Sequence, residues 1–191
     1  MADRTIYLIP GFMSPAWMLF PLQRYLRSGL AADIHRWDYP RVFANVDQTI
    51  EALANRLDQH QQGTVTIVSH SFGDWIARSA LRSMRGTSVR ALVSVCPVVT
   101  SVAAAKLVTK IVGDIIPELS VMSNTQRSSI DIPDDKHVQR SFVWARGEVL
   151  VDRGDNLRIG TRQQTVLATH NSILFQPNAW KVIRDELVAL A

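Results

Sequence analysis

The stretch VTIVSHSFGDWIAR, Val65 to Arg78, runs from β-branched residues into Ser-His-Ser and then into a helical pattern. A serine between a strand and a helix is the context of a nucleophile elbow. There the backbone turns sharply, and the hydroxyl of the central residue, Ser71, points away from the sheet. Small residues are needed two before and two after, where strand and helix pass closely; Ser69 and Gly73 meet that need. The bland alternative is a helix cap, since a serine oxygen can accept from a first-turn amide.

A serine hydroxyl is a weak nucleophile at neutral pH and needs a base, usually a histidine oriented by a carboxylate. The chain has five histidines. His170 follows the apolar run VLAT and precedes a helical pattern, and its place late in the chain suits the base. The carboxylate is expected between them, in FVWARGEVLVDRGDNLRIG, which offers Glu148, Asp152 and Asp155. Asp155 is preferred because Asp155-Asn156 forms a turn entering a new element; Asp152 stands next. Aspartates of this kind also serve as turn formers or surface ion-pair partners.

Acyl transfer further requires two N–H donors for the oxyanion. The Phe72 amide, just after the serine, supplies one, and the Phe12 amide, in Pro10-Gly11-Phe12-Met13, is placed to supply the other. Gly11 lets the backbone approach closely. Met13, Trp17 and Trp75 lie near this mouth in sequence and are candidates to line a substrate pocket, although aromatics at such spacing are more often core.

The elements that must position these groups alternate. Strands are expected at Thr5–Ile9, Ile34–Tyr39, Val65–Ser69, Ala91–Cys96, Ser141–Ala145 and Thr165–Thr169. Helices are expected at Ala16–Arg27, Val46–His60, Gly73–Met84 and Asn178–Leu190, from apolar residues three and four apart. Short apolar strands alternating with helices imply an α/β fold, an open and mostly parallel sheet with helices on both faces. Ligands bind such sheets beyond the carboxyl ends of the strands. That directs attention to the residues after Ile9, Ser69, Cys96, Ala145 and Thr169.

Composition narrows the function. The chain has 191 residues, 47% hydrophobic and 20% charged, which suits one globular domain over residues 1–191. Its formal net charge of +4 comes from scattered arginines, not from a basic run with interleaved aromatics, so nucleic acid is not an expected partner. The lone cysteine, Cys96, excludes an intrachain disulfide and reads as a buried strand thiol. No signal peptide or membrane-spanning run is seen, and a cytoplasmic location is expected. No His/Cys/Asp grouping has metal-ligand spacing and no glycine-rich phosphate loop appears, so no metal and no cofactor are expected. Oligomeric state is left open.

The sequence resembles the α/β-hydrolase superfamily, and more narrowly its small bacterial lipase- and esterase-like members. YLIPGFMSPAWMLFPLQRYLRSGL is similar to their first strand, His-Gly loop and first helix. VTIVSHSFGDWIARSAL is similar to their elbow, written VxLVGHSxGGxxAR. VRALVSVCPV and DNLRIGTRQQTVLATHNSIL are similar to the following strand and to the acid turn, last strand and histidine loop. The resemblance spans nearly the whole chain outside about Val99 to Val138. It implies a minimal α/β-hydrolase fold without a large cap domain, a Ser71–His170–Asp155 triad, and an oxyanion hole at Phe12 and Phe72. The departures are Pro10 at the usual histidine, Ser69 for the first elbow glycine, and Asp74 after Gly73. A serine at the elbow excludes the aspartate-nucleophile chemistry of dehalogenases and epoxide hydrolases.

The expected function is hydrolysis of a small-molecule carboxylic ester with an apolar acyl group, through an acyl-enzyme. Two alternatives stand beside it: acyl transfer by the same residues, and a hydrolase-like binding protein without turnover. The segment Val99 to Leu119 carries the apolar stripe Val108, Ile111, Val112, Ile115 and Ile116, which is expected either as a helix packed on the sheet or as a partial lid or pocket wall beside Ser71.

Overall fold

The structure is a computed structural model, and it describes residues 4–40, 42–43, 45–112, 115–153 and 161–191. Asp155 lies outside them. The strands are β1 (Thr5–Ile9), β2 (Asp33–Arg36), β3 (Val65–His70), β4 (Val89–Val95), β5 (Gln139–Gly147) and β6 (Arg162–Thr169). They form one sheet in the order β2-β1-β3-β4-β5-β6. Every neighbouring pair is parallel. Interior strands are buried on both sides, as β3 is along its whole length, which explains their continuous apolar runs.

The helices are α1 (Phe20–Gly29), α2 (Val46–Asp58), α3 (Phe72–Ser83), α4 (Ala103–Val112), α5 (Pro117–Ser123), α6 (Thr125–Ser128) and α7 (Pro177–Ala189). α2 packs on α3 and α1 on α7, so the two pairs cover the sheet. Leu53, Ala54 and Leu57 turn the inner face of α2 to the core, and Asn45 caps it by accepting from the Gln48 amide at 3.1 Å. Ala179, Ile183 and Leu187 do the same for α7, which starts on Pro177.

Several elements depart from the sequence reading, among them β2, which ends at Arg36 and not at Tyr39. The helix expected from Ala16 opens as a 3-10 turn, Ala16–Leu19, and becomes α-helical only at Phe20. Pro21 has no amide to close an α-helical bond to Trp17, and Phe20 bonds that carbonyl instead. β6 starts at Arg162, not Thr165, because it is an edge strand whose first residues, Arg-Gln-Gln, are exposed and give no apolar signal. Of the apolar stripe, Val108, Ile111 and Val112 fall in α4, which packs chiefly against α5, and Ile115 and Ile116 lie between the two helices. Among the described residues, no helix is long and apolar enough to cross a membrane.

Candidate active site

The bend between β3 and α3 puts Ser71 at φ 54 and ψ −126, a region that residues with a side chain rarely adopt. The turn is pinned on both sides. The Ser71 amide donates to the Val95 carbonyl at 3.0 Å, and the Ser71 carbonyl accepts from the Asp74 amide at 3.1 Å. Gly73 is required by contact: a Cβ there would lie 2.2 Å from the Pro10 carbonyl oxygen. Gly11 is equally close-set, since its Cβ would meet the Ser71 Cβ at 2.8 Å. Met13 and Cys96 also carry positive φ, at 55 and 44, so three strained residues sit just beyond the carboxyl ends of β1, β3 and β4.

His170 follows β6 directly, and its Nε2 lies 2.8 Å from Ser71 Oγ. Its Nδ1 lies 2.7 Å from Glu148 Oε2. Among the described residues it is thus Glu148, one of the three carboxylates the sequence offers, that meets His170, while the preferred Asp155 lies outside them. Glu148 follows Gly147, the last residue of β5, and its other carboxylate oxygen accepts from the Leu150 amide at 2.8 Å and the Val151 amide at 3.2 Å. Burial alone would raise the carboxyl pKa. The His170 hydrogen bond, the Leu150 amide and the charge on His170 outweigh it and bring Glu148 down to about 2. An ionised Glu148 can only accept, so Nδ1 carries the proton and Nε2 presents a lone pair to the Ser71 hydroxyl.

His70 lies within the elbow but turns inward, and its Nε2 donates to the His170 backbone carbonyl at 2.9 Å. Burial, followed by repulsion from His170, lowers its pKa to about 3, so it is neutral in the folded state. Cys96 lies close to Glu148. Its sulfur, a Glu148 oxygen and a His170 nitrogen all fall within 4.8 Å of one another. That grouping could in principle hold a metal. As arranged it is a hydrogen-bonded cluster, because Nδ1 is committed to Glu148 and burial, reinforced by the Glu148 charge, pushes the thiol far up and keeps it protonated.

Ser71 and His170 open on a cavity of about 300 Å³. Phe12 and Met13 line it from the loop after β1, and Val98 from the segment after β4. Val102, Ala105 and Val108 line it from α4 and its approach, Leu119 and Met122 from α5, and Leu150 and Val151 from beyond β5. His170 is the only ionisable group among the described residues that line it. α4 thus forms one wall of the cavity.

The remaining candidates separate. Phe72 is the first residue of α3, where an amide has no acceptor within its helix. Phe12 borders the cavity with Ser71. Trp17 is 65% exposed and lines a different surface hollow with His35 and Arg36. Trp75 is buried one turn into α3, stacks on Phe72 at 5.3 Å and donates to the Arg127 carbonyl. Neither tryptophan lines the Ser71 cavity, because chain proximity does not fix side-chain direction.

No family model and no curated protein sequence matches the chain. Solved structures do. A Xanthomonas campestris protein of the alpha/beta superfamily matches at a TM-score of 0.68 and 16% identity, over 97% of this chain and 99% of that one. A carboxylesterase structure from Nitrososphaera gargenis matches at 0.67 and 12%, over 98% and 90%. The RedJ thioesterase of Streptomyces coelicolor matches at 0.63 and 12%, over 100% and 91%. With its six parallel strands, its strained serine after β3 and these likenesses, the chain has the α/β-hydrolase fold in a minimal form.

Proposed function

We propose that this chain is a serine hydrolase acting on carboxylic esters with an apolar acyl group. The observation that carries the reading is the hydrogen-bonded series Ser71–His170–Glu148, at 2.8 and 2.7 Å, opening on an apolar cavity. Ser71 Oγ attacks the ester carbonyl while His170 Nε2 takes its proton. The carbonyl oxygen, now negative, is held by the amides of Phe72 and Phe12. His170 returns the proton to the leaving alcohol, and the acyl group stays on Ser71. Water, activated by His170, then releases the acid and restores the serine. Glu148 keeps the imidazole in the right tautomer and offsets its positive charge. No cofactor enters any step.

A binding protein without turnover would leave these groups apart; their approach to hydrogen-bond distance supports catalysis. The carboxylesterase and the thioesterase among the structural neighbours favour the same class of chemistry. The cavity sits at the small end of the range for ligand sites, roughly 300–1,000 Å³, which favours compact acyl groups. Acyl transfer to an alcohol in place of water would use the same residues.

Wild-type protein is expected to be labelled by a fluorophosphonate probe, and Ser71→Ala to lose the label. A panel of p-nitrophenyl esters from acetate to laurate should peak between butyrate and octanoate, with activity lost in His170→Ala. Folded, concentrated wild type that takes no label and cleaves no ester would overturn the reading.

A further inference from the structure

Asp74 is fully buried in the first turn of α3, three residues beyond Ser71. Its carboxylate accepts from Ser69 Oγ at 2.9 Å, Ser94 Oγ at 2.6 Å, Arg78 Nε at 2.7 Å and Arg140 Nη2 at 2.9 Å. Those donors come from β3, β4, α3 and β5, so a single carboxylate ties these four elements together beside the bend. Arg140 is itself held, by Asp131 at 2.8 Å and by Ser94 at 3.1 Å. Arg78 spends its remaining nitrogens on the carbonyls of Val98, Ser128 and Ile130.

Stability alone is a poor explanation of this cluster. A buried ion group is often no better than well-packed apolar residues of the same volume. What hydrogen bonds supply and apolar contacts do not is direction. The Ser69–Asp74 bond joins the residue two before Ser71 to the residue three after it, and so spans the strained backbone of Ser71. These are the two positions where the sequence departs from the small-residue elbow pattern GHSxGG. The two departures are partners: the hydroxyl at 69 is the donor and the carboxylate at 74 the acceptor. Arg78 carries the same anchor outward to Val98, which lines the cavity.

We propose that Ser69, Asp74, Arg78 and Arg140 form a positioning cluster that holds Ser71 at the angle its chemistry requires and registers one cavity wall to it. None of the four lines the cavity; each acts through the elbow. The proposal rests on the reading of Ser71 as the nucleophile. Its test therefore includes a measurement that needs no turnover.

The test compares wild type with Ser69→Ala, Ser94→Ala, their double variant and Asp74→Asn. Ester kinetics, the rate of fluorophosphonate labelling and amide hydrogen exchange over residues 69–76 are measured on each. Asp74→Asn should lower kcat ~10- to 100-fold with KM within about twofold, as expected of a misplaced reacting group. The acid limb of its pH profile should not move, since Asp74 does not contact His170. The double serine variant keeps the ion cluster and serves if Asp74→Asn does not fold. It should lose kcat ~10-fold and exchange faster at 69–76, while its unfolding midpoint stays close to wild type. A folded double variant with wild-type kcat, labelling and exchange overturns the proposal. If wild type proves inactive and unlabelled, the serine-hydrolase reading fails separately. Faster local exchange in the variants would then still support the cluster, and unchanged exchange would still defeat it.

Discussion

Glu148 Oε2 and Ser71 Oγ grip the two nitrogens of one imidazole, that of His170, at 2.7 and 2.8 Å. The imidazole is fixed in tautomer and in orientation by groups from β5 and from the β3–α3 bend.

Glu148→Gln should therefore be the most damaging change outside Ser71 and His170. An amide at this position can donate to Nδ1 and favour the wrong tautomer, so kcat should fall by ~10³- to 10⁴-fold with little change in KM. Asp152→Asn and Asp155→Asn should each remain within about threefold of wild type, since neither is needed to hold Nδ1. Steady-state kinetics on p-nitrophenyl butyrate decide this. Loss of activity in Asp155→Asn with Glu148→Gln intact would transfer the role.

His70 sets an acid limit on stability. Unfolded, its ring takes a proton below about 6.5; folded, it resists until about 3. The unfolded state thus binds the extra proton as pH falls through that window, and stability falls at up to ~1.4 kcal/mol per pH unit. Glu148 adds in the same direction at lower pH, from its ordinary 4.5 down to about 2. Urea unfolding at pH 7, 5.5 and 4 should show this slope in wild type and a shallower one in His70→Gln. Identical slopes would refute it.

Gly73→Ala should prevent folding or cost more than ~3 kcal/mol, because the new Cβ would sit 2.2 Å from one backbone carbonyl and 2.9 Å from another. Gly29→Ala is the contrast. Its Cβ would meet only the flexible side chain of Arg184, at 3.4 and 3.8 Å, and removing a helix glycine should be neutral or gain ~0.5–1 kcal/mol. Melting temperatures of the two variants check both.

Cys96 should resist iodoacetamide in the native protein at pH 8 and react once per chain in urea. Burial and the Glu148 charge keep the thiol protonated, and protonated thiols are poor nucleophiles. Rapid native labelling would mean that the packing around Cys96 opens readily.

Much of this architecture was legible because local signals agreed. Val65 to Val68 is a β-branched run, Ile76, Ala77, Ala80 and Leu81 recur at helical spacing, and the serine between them marks the bend. His170 could be found from its place after the last apolar run. Glu148 is one of three carboxylates the sequence offers after β5, and its bond to His170 shows only once that strand is seen to run on to Gly147. A glutamate reaches one methylene further than an aspartate, so it can serve from the strand end itself. Arg78, one helical turn from Asp74, is a pair that sequence spacing can show, but the distant partners of Asp74 were out of reach for a different reason. Arg140 lies 66 residues away, and no local pattern announces a contact made only when β4 and β5 pair. Trp17 and Trp75 misled because neighbours in sequence face different sides of the fold.

The hydrogen bond from Ser71 to His170 spans 99 residues. Every strand pairing between them is parallel, so each requires a long crossover before it can form. At ~5–20 residues per second, a ribosome would expose the serine roughly 5–20 s before it delivers the imidazole. A nascent or truncated chain would thus carry an inert hydroxyl, and the first turnover would time the docking of the final strand.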